Sequence, residues 1–317
     1  MRHYRFITTL RFLKITESIP NKFTLMPGID LITDKAQISK ILDDEFKMIA
    51  GVIEAEHFEN ANHIICCDID EETFNHPFSS NQALIVWLVW LDLLIQDAWL
   101  VKDHAISCDI AFARMTNGQH SEWSSNYLNS QNYLSSGQAH VNVEFDFEDI
   151  KVWETKSNAI QTYLHQKKSG ALNSFINKEF SRIGRSLRFI SAARKETHPA
   201  IKITHYCSAF ESLFSTDNSE LSHKLAERIA IFLKQYGFEP LAIFDDVKAF
   251  YTVRSKVTHG DSIQGKRAND ISDLSQKCDN YLRYIINKIV DDPNHKSTFD
   301  DKKEIIEQYF KELILLK

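Results

Sequence analysis

The chain has 317 residues, enough for two domains and too few for a comfortable three. Its 43% hydrophobic and 25% charged residues fit a globular chain, and 9 Gly with 6 Pro exclude collagen-like or low-complexity architecture and disfavour a turn-rich all-β protein. A formal net charge of −6 excludes a uniformly basic nucleic-acid coat and leaves room only for a local basic patch.

Taken in chain order, residues 5–15 (RFITTLRFLKI) and 21–33 (NKFTLMPGIDLIT) alternate and are rich in β-branched residues, as strands are. A short helix is expected over Lys35–Gly51, and a strand over residues 62–70 (NHIICCDID). Ala83–Leu100 is apolar and long enough to span a bilayer, but Asp92, Gln96 and Asp97 fall inside it. An unpaired Asp in the middle of a membrane helix is costly, so the segment reads as the buried central helix of a soluble domain, with no membrane partner. Two further strands are expected in residues 104–115 and 139–150. In the second, Val141, Val143, Phe145 and Phe147 share one face. The Ser/Asn/Gln-rich stretch between them, residues 116–138, reads as a long loop.

Helical periods take over beyond Val152. Leu172, Ile176, Phe180, Ile183, Leu187 and Ile190 recur at three- and four-residue steps, predicting one long helix. Pro199 opens a second, with Ile203, Tyr206, Cys207, Phe210 and Phe214 on its apolar face. Leu221–Tyr236 is closed by Gly237 and Pro240–His259 by Gly260, and Asp270–Val290 and Thr298–Leu316 follow. The expected fold is therefore an α+β N-terminal domain, residues 1–155, followed by an all-α helical bundle, residues 156–317.

The five cysteines form no C-x-x-C pair, and adjacent Cys66 and Cys67 read as core hydrophobes in a strand. Free thiols, a reducing cytoplasm and no targeting signal are expected. The 13 His lack metal-ligand spacing, so no metal or other cofactor is expected. Gly260–Arg267 nearly matches a phosphate-binding loop, but it follows a helix and ends in Arg where a magnesium-binding hydroxyl is needed.

Charge is unevenly distributed. Residues 43–72 carry a net −9 and residues 167–202 a net +7. Lys178, Arg182 and Arg185 fall at steps of four and three with Arg188 beside them, a stripe that is either a solvated face or a footprint for phosphates. Further on, Arg254 precedes His259 by five residues at a helix C-terminus, in Tyr251-Thr252-Val253-Arg254-Ser255-Lys256-Val257-Thr258-His259-Gly260. Residues five apart leave an ideal helix about 140° apart. The two would share a site only if Arg254 curls round, if the last turn distorts, or if a symmetric partner supplies the second pair.

This stretch resembles the signature of the HEPN superfamily of helical nucleotide-binding domains: Arg, four to six residues, then His. The wider pattern is similar to the ApeA-like HEPN group: residues 209–214 (AFESLF), then 225–230 (LAERIA), then Tyr251-x-x-Arg254-Ser255-x-x-x-His259-Gly260. The resemblance covers roughly residues 170–290. It implies a metal-independent endoribonuclease acting as a homodimer on an RNA substrate, with Arg254 and His259 as catalytic residues. Glu211 would either orient His259 or Arg254 or be a solvent-exposed helix carboxylate. Tyr251, three residues before Arg254 on much the same face, would either stack on a base of the RNA or belong to the core. Ser255 and the basic stripe would lie against RNA. Ser255 stands where active families often carry Asn, Asp or His. The setting implied is anti-phage defence by abortive infection, the N-terminal domain acting as sensor. The alternatives are a non-catalytic HEPN module binding RNA, nucleotide or a partner protein, and a HEPN toxin held by an antitoxin protein.

Overall fold

In the computed structural model, strand β1 (His3–Thr8) sets the plan of the N-terminal half. The structure describes residues 1–74, 76–128, 130–170, 172–177, 179–217, 221–262, 270–300 and 302–316. Tyr4 and Phe6 enter one apolar cluster and Ile7 enters another, as the two-residue period of a strand requires. β1 pairs antiparallel with β5 (Ile64–Asp70) on one side and β6 (Ala111–Asn117) on the other. Hairpin β3 (Lys22–Met26) and β4 (Ile29–Ile32) extends the sheet beyond β5, and β7 (His120–Asn126) extends it beyond β6. The order is β3-β4-β5-β1-β6-β7. A short parallel pair, β2 (Leu13–Ile15) with β8 (Val143–Phe145), stands apart.

Both faces of the sheet are covered. Helix α3 (Ser80–Asp97) packs Leu84, Trp87, Leu88 and Leu91 against Tyr4, Phe6, Ile65, Cys67 and Ala113. The Trp87 and Phe6 rings stack at 5.1 Å. Helices α1 (Lys35–Ile41) and α2 (Asp44–Asn60) cover the other face, with Ile38, Leu42, Phe46 and Phe58 against Ile7, Ile64, Cys66 and Phe112. Cys66 and Cys67 thus lie on opposite faces as free, buried thiols, and burial pushes Cys66 up to about 12. The polar residues inside α3 are satisfied locally, since Asp92 accepts from Gln96 Nε2 at 2.6 Å and from Ser130 Oγ at 2.9 Å.

Several expectations change. The helix expected over Lys35–Gly51 is two helices, because Asp43 caps a new start by accepting from Phe46 N, and Gly51 (φ 78°) kinks the second. The stretch expected to be a loop contains β7. Its alternation is real but polar: Glu122 and Ser124 bind the buried Ser80 at the start of α3, while Trp123 turns to the other face and donates to Glu45 at 2.8 Å. Of the strand expected over residues 139–150 only Val143–Phe145 forms, and Phe147 opens helix α4 (Phe147–Gln166).

The chain divides into two units, Met1–Asn132 with His140–Asn158 and Tyr133–Ala139 with Ala159–Lys317, so the division runs through α4. The second unit is helical: α5 (Arg182–Lys195), α6 (Pro199–Phe214), α7 (Leu221–Lys234), α8 (Pro240–His259), α9 (Ile271–Asp291), α10 (Pro293–Asp300) and α11 (Lys303–Leu315). The long helix expected from Leu172 starts only at Arg182, where the Ser181 side chain caps Gly184 N. Leu172 and Ile176 stand 95% and 87% exposed before it, so they belong to no apolar face.

The C-terminal unit has a polar centre. Tyr206 OH donates to Asp279 at 2.9 Å, and Asp279, fully buried, pairs with Arg283 at 2.7 Å. Lys202, also fully buried, donates to the Ala193 carbonyl at 2.9 Å near the end of α5. The segment Tyr133–Ala139 joins this unit through Tyr133 N to Arg194 O and Ser275 Oγ to Ser135 O. Gly137 (φ 89°) is required there, because a Cβ would come within 2.5 Å of the Thr197 carbonyl.

One buried base gives the N-terminal unit an acid sensitivity. His63 accepts from Leu10 N at 3.2 Å through Nε2, and its Nδ1 lies 2.8 Å from Asn62 Oδ1, an arrangement that suits the neutral ring. Burial lowers its pKa from 6.5 to about 4. In that interval the unfolded chain binds the proton and the folded chain does not, so the stability His63 contributes is complete above 6.5 and lost as pH falls to about 4. We expect wild type to lose on the order of 2–3 kcal/mol relative to His63→Gln over that interval. Urea unfolding at a series of pH values measures it, and parallel curves for the two proteins would refute the assignment.

Candidate functional site

Helix α8 carries most of the site. Glu239 caps its start by accepting from Leu241 N, and Pro240 occupies the first turn, where its missing N–H costs nothing. Its end is fixed by Gly260, whose φ of 76° lets Gly260 N reach Val257 O and Asp261 N reach Lys256 O at 2.8 Å. That is the paired reverse bonding of a left-handed helix end. It leaves His259 exposed in the last turn, where a protonated imidazole interacts favourably with the helix dipole.

Helix α6 supplies the partner. His198 caps its start by accepting from Ala200 N, and Ile203, Tyr206, Cys207, Phe210 and Phe214 bury its inner face. Glu211 sits at the edge of that face. Its Oε1 lies 3.2 Å from Arg254 Nη2 and accepts from Tyr251 OH at 3.2 Å. Tyr251 OH also lies 3.3 Å from the Cys207 carbonyl, and the Arg254 guanidinium lies over the Tyr251 ring at 5.7 Å. Burial, with Cys207 and Glu211 nearby, raises the Tyr251 pKa well above its ordinary value, so the phenol stays a donor. Glu211 and Tyr251 thus hold the guanidinium in one orientation, still 34% exposed and able to meet an anion.

The expected site residues separate into groups. Arg254, Glu211 and Tyr251 come together. Glu211 orients Arg254 and not His259, which makes no hydrogen bond or ion pair among the described residues. Helix α8 stays helical up to His259, so no distortion of its last turn brings the two catalytic candidates together. Ser255 is exposed beside Arg254. Tyr251, expected against RNA, is only 7% exposed; its ring lies in the core beneath Arg254, which removes it as a stacking surface.

The basic stripe also changes character. Arg182 donates to the carbonyls of Ser212 and Ser215, and Arg185 to those of Phe175, Asn177 and Phe180. Arg188 donates to the Gly170 carbonyl. These arginines tie down main chain as well as carrying charge. Lys178 and the stretch Gly265–Arg267 lie outside the described residues.

No protein-family model, curated protein or solved structure matches the chain.

Sequence reasoning missed Arg228. It is 8% exposed, donates to the Phe214 carbonyl at 2.6 Å and pairs with Glu307 at 2.6 Å, with its guanidinium over the Phe310 ring. The available signal was its place in the 225–230 block, where it alternates with buried Leu225, Ala226 and Ile229.

The last turn of α8 depends on Gly260. We expect Gly260→Ala to cost about 1 kcal/mol, the strain of a Cβ in the left-handed region. Denaturant unfolding should show it, together with faster amide exchange confined to Lys256–Asp261. Unchanged stability and exchange would mean that the turn is held by something other than its glycine.

Proposed function

We propose that the C-terminal helical unit is a metal-independent endoribonuclease of the HEPN type, working as a homodimer, with Arg254 and His259 as its catalytic residues. The observation that carries this reading is the half-exposed Arg254 guanidinium, oriented by Glu211 and Tyr251 five residues before an exposed His259. RNA supplies its own nucleophile. The 2′-oxygen attacks the adjacent phosphorus while the P–O5′ bond breaks. The imidazole of one His259 takes the 2′-OH proton or, as imidazolium, protonates the leaving 5′-oxygen. Arg254 meets the charge that builds on the phosphate oxygens with a forked, permanently charged donor. The products are a 2′,3′-cyclic phosphate and a 5′-hydroxyl. DNA lacks the nucleophile and is inert.

The divergence of Arg254 and His259 on a regular helix is resolved in an isologous dimer, where Arg254 of one protomer meets His259 of the other across the two-fold axis. Glu211 is then a positioning residue. The biological setting that fits is abortive infection or a toxin–antitoxin pair in the cytoplasm, with the N-terminal unit as regulator. A second reading, a HEPN module that binds RNA or nucleotide without cutting, is favoured by one feature: His259 has no orienting hydrogen bond among the described residues.

We expect Arg254→Ala and His259→Ala each to lower RNA cleavage by about 10²–10⁴-fold while unfolding like wild type. EDTA should leave the rate unchanged. Cleavage at wild-type speed by both variants, or a strict magnesium requirement, would refute the mechanism.

The dimer makes a separate demand. An equimolar mixture of Arg254→Ala and His259→Ala proteins should regain cleavage that neither has alone, because the mixed dimer keeps one intact Arg–His pair. A fully active monomer in light scattering, or no gain on mixing, would exclude shared sites.

A further inference from the structure

Beside the Arg254–Glu211 pair lies an open cleft of about 740 Å³, a volume typical of small-ligand sites. Its walls come from the irregular stretch before α5, the first turn of α5 and the outer face of α6. Glu211 belongs to both places: it lines the cleft and holds Arg254. An occupant of the cleft is therefore one side chain away from Arg254.

Arg182 and Arg185 line this cleft, and neither has a carboxylate within ion-pair distance among the described residues. Their partners are carbonyls, which satisfy hydrogen bonds and leave the charge uncompensated. Arg182 uses Nη1 for both its bonds, so Nε and Nη2 keep donors with no partner among the described residues. Burial lowers the Arg182 pKa, and Arg185 and Arg228 push the same way. The first turn of α5 contains no acidic side chain to offset them. Three carboxylates also line the cleft: Glu211 is paired with Arg254 and Asp300 with Lys167 at 3.1 Å, while Glu179 is exposed and has no ion-pair partner among the described residues.

The same cleft has an aromatic wall. Phe175 is 37% exposed, with the Arg185 guanidinium over its ring at 5.5 Å and the Phe189 ring perpendicular to it at 5.6 Å. Guanidinium donors that no carboxylate pairs directly can meet a phosphate. An exposed ring beside them selects a flat base. Ser208 and Glu211 add acceptors suited to ribose hydroxyls.

We propose that this cleft binds one nucleotide of single-stranded RNA, with its phosphate on Arg182 and its base against Phe175. The identity of the ligand as RNA rests on the ribonuclease reading, whereas a base bearing a phosphate is equally the chemistry of a free mononucleotide. Duplex RNA is excluded, because its bases are stacked away inside the helix.

The test uses the full chain carrying His259→Ala and a fluorescent single-stranded RNA oligonucleotide, followed by anisotropy against salt. Adding Phe175→Ala should weaken binding by about 10-fold, the worth of one stacked base, without changing the salt slope. Adding Arg182→Gln should lower that slope by about 0.7, the share of one phosphate on a single strand. Arg182 also caps α6, so Phe175→Ala is the deciding variant. If it melts like its parent and binds the oligonucleotide equally well, the proposal is overturned. AMP that binds more tightly than the oligonucleotide overturns the RNA assignment. The ribonuclease reading fails separately: a wild type that cuts nothing while binding remains Phe175-dependent leaves the cleft standing. A wild type that cuts RNA with a KM unmoved by Phe175→Ala removes the cleft alone.

Discussion

The C-terminal unit is built round one electrostatic requirement, the satisfaction of the carbonyl end of α6. This helix buries its inner face almost completely, and the Phe214 ring at its end packs with those of Phe232, Phe299 and Phe310. A helix end leaves its last carbonyls without intrahelical donors. Two arginines from different helices meet them, Arg182 of α5 at Ser212 and Ser215, and Arg228 of α7 at Phe214. Positive charge at a helix C-terminus is also favoured by the macrodipole. Through Glu307 the same device reaches α11. The position of Glu211, one turn back along α6, follows from this anchoring, and the orientation of Arg254 follows from Glu211.

How much of this was legible in the sequence depends on whether a local signal announced each piece. Helices α6 and α8 were readable at their ends because Pro199, Pro240 and Gly260 act through backbone geometry alone, with no need of tertiary context. Helix α5 was placed too early because Leu172 and Ile176 continue its three- and four-residue rhythm. Periodicity is blind to which apolar residues find a partner, and Ser181 was the only start signal. Helix α4 does carry a start signal, since Asp146 accepts from Asp149 N while Asp149 accepts from Asp146 N, but that pair lies inside the stretch whose alternation suggested a strand, and the buried stripe of Ile150, Trp153, Ser157, Ile160 and Tyr163 includes a serine. Strand β7 was lost for the opposite reason: its inward residues are polar and matched to a polar buried Ser80, so hydrophobic alternation had nothing to register.

The candidate site was legible as a set of residue types and not as a geometry. The Arg254–His259 spacing could be read, and so could the angle between the two on a helix, but the sequence left open whether Glu211, 43 residues before Arg254, orients Arg254 or His259. Tyr251 had two readings, core residue or base platform, and its burial beneath Arg254 decides for the first. Its phenol instead reinforces Glu211 as an acceptor, a role that requires the phenol to remain protonated, as its burial ensures.

The basic run holds the sharper lesson about charge. A density of arginines in an acidic chain suggests a surface for phosphates, yet guanidiniums also supply the multiple donors needed to hold loops and helix ends. Here Arg182, Arg185 and Arg188 all serve the second use, and the first belongs to the cleft proposed above. Arg185 gathers the carbonyls of the stretch that presents Phe175, so the residue that brings charge to the cleft also shapes its aromatic wall. Arg182 is bound to α6 through one nitrogen, and its Nε and Nη2 donors have no partner among the described residues. A cation fixed in this way loses little conformational freedom when it meets an anion, because its ordering already belongs to the fold. The main-chain bonds of the arginine run thus fix where its charge stands, which is the property that the proposed nucleotide site would draw on.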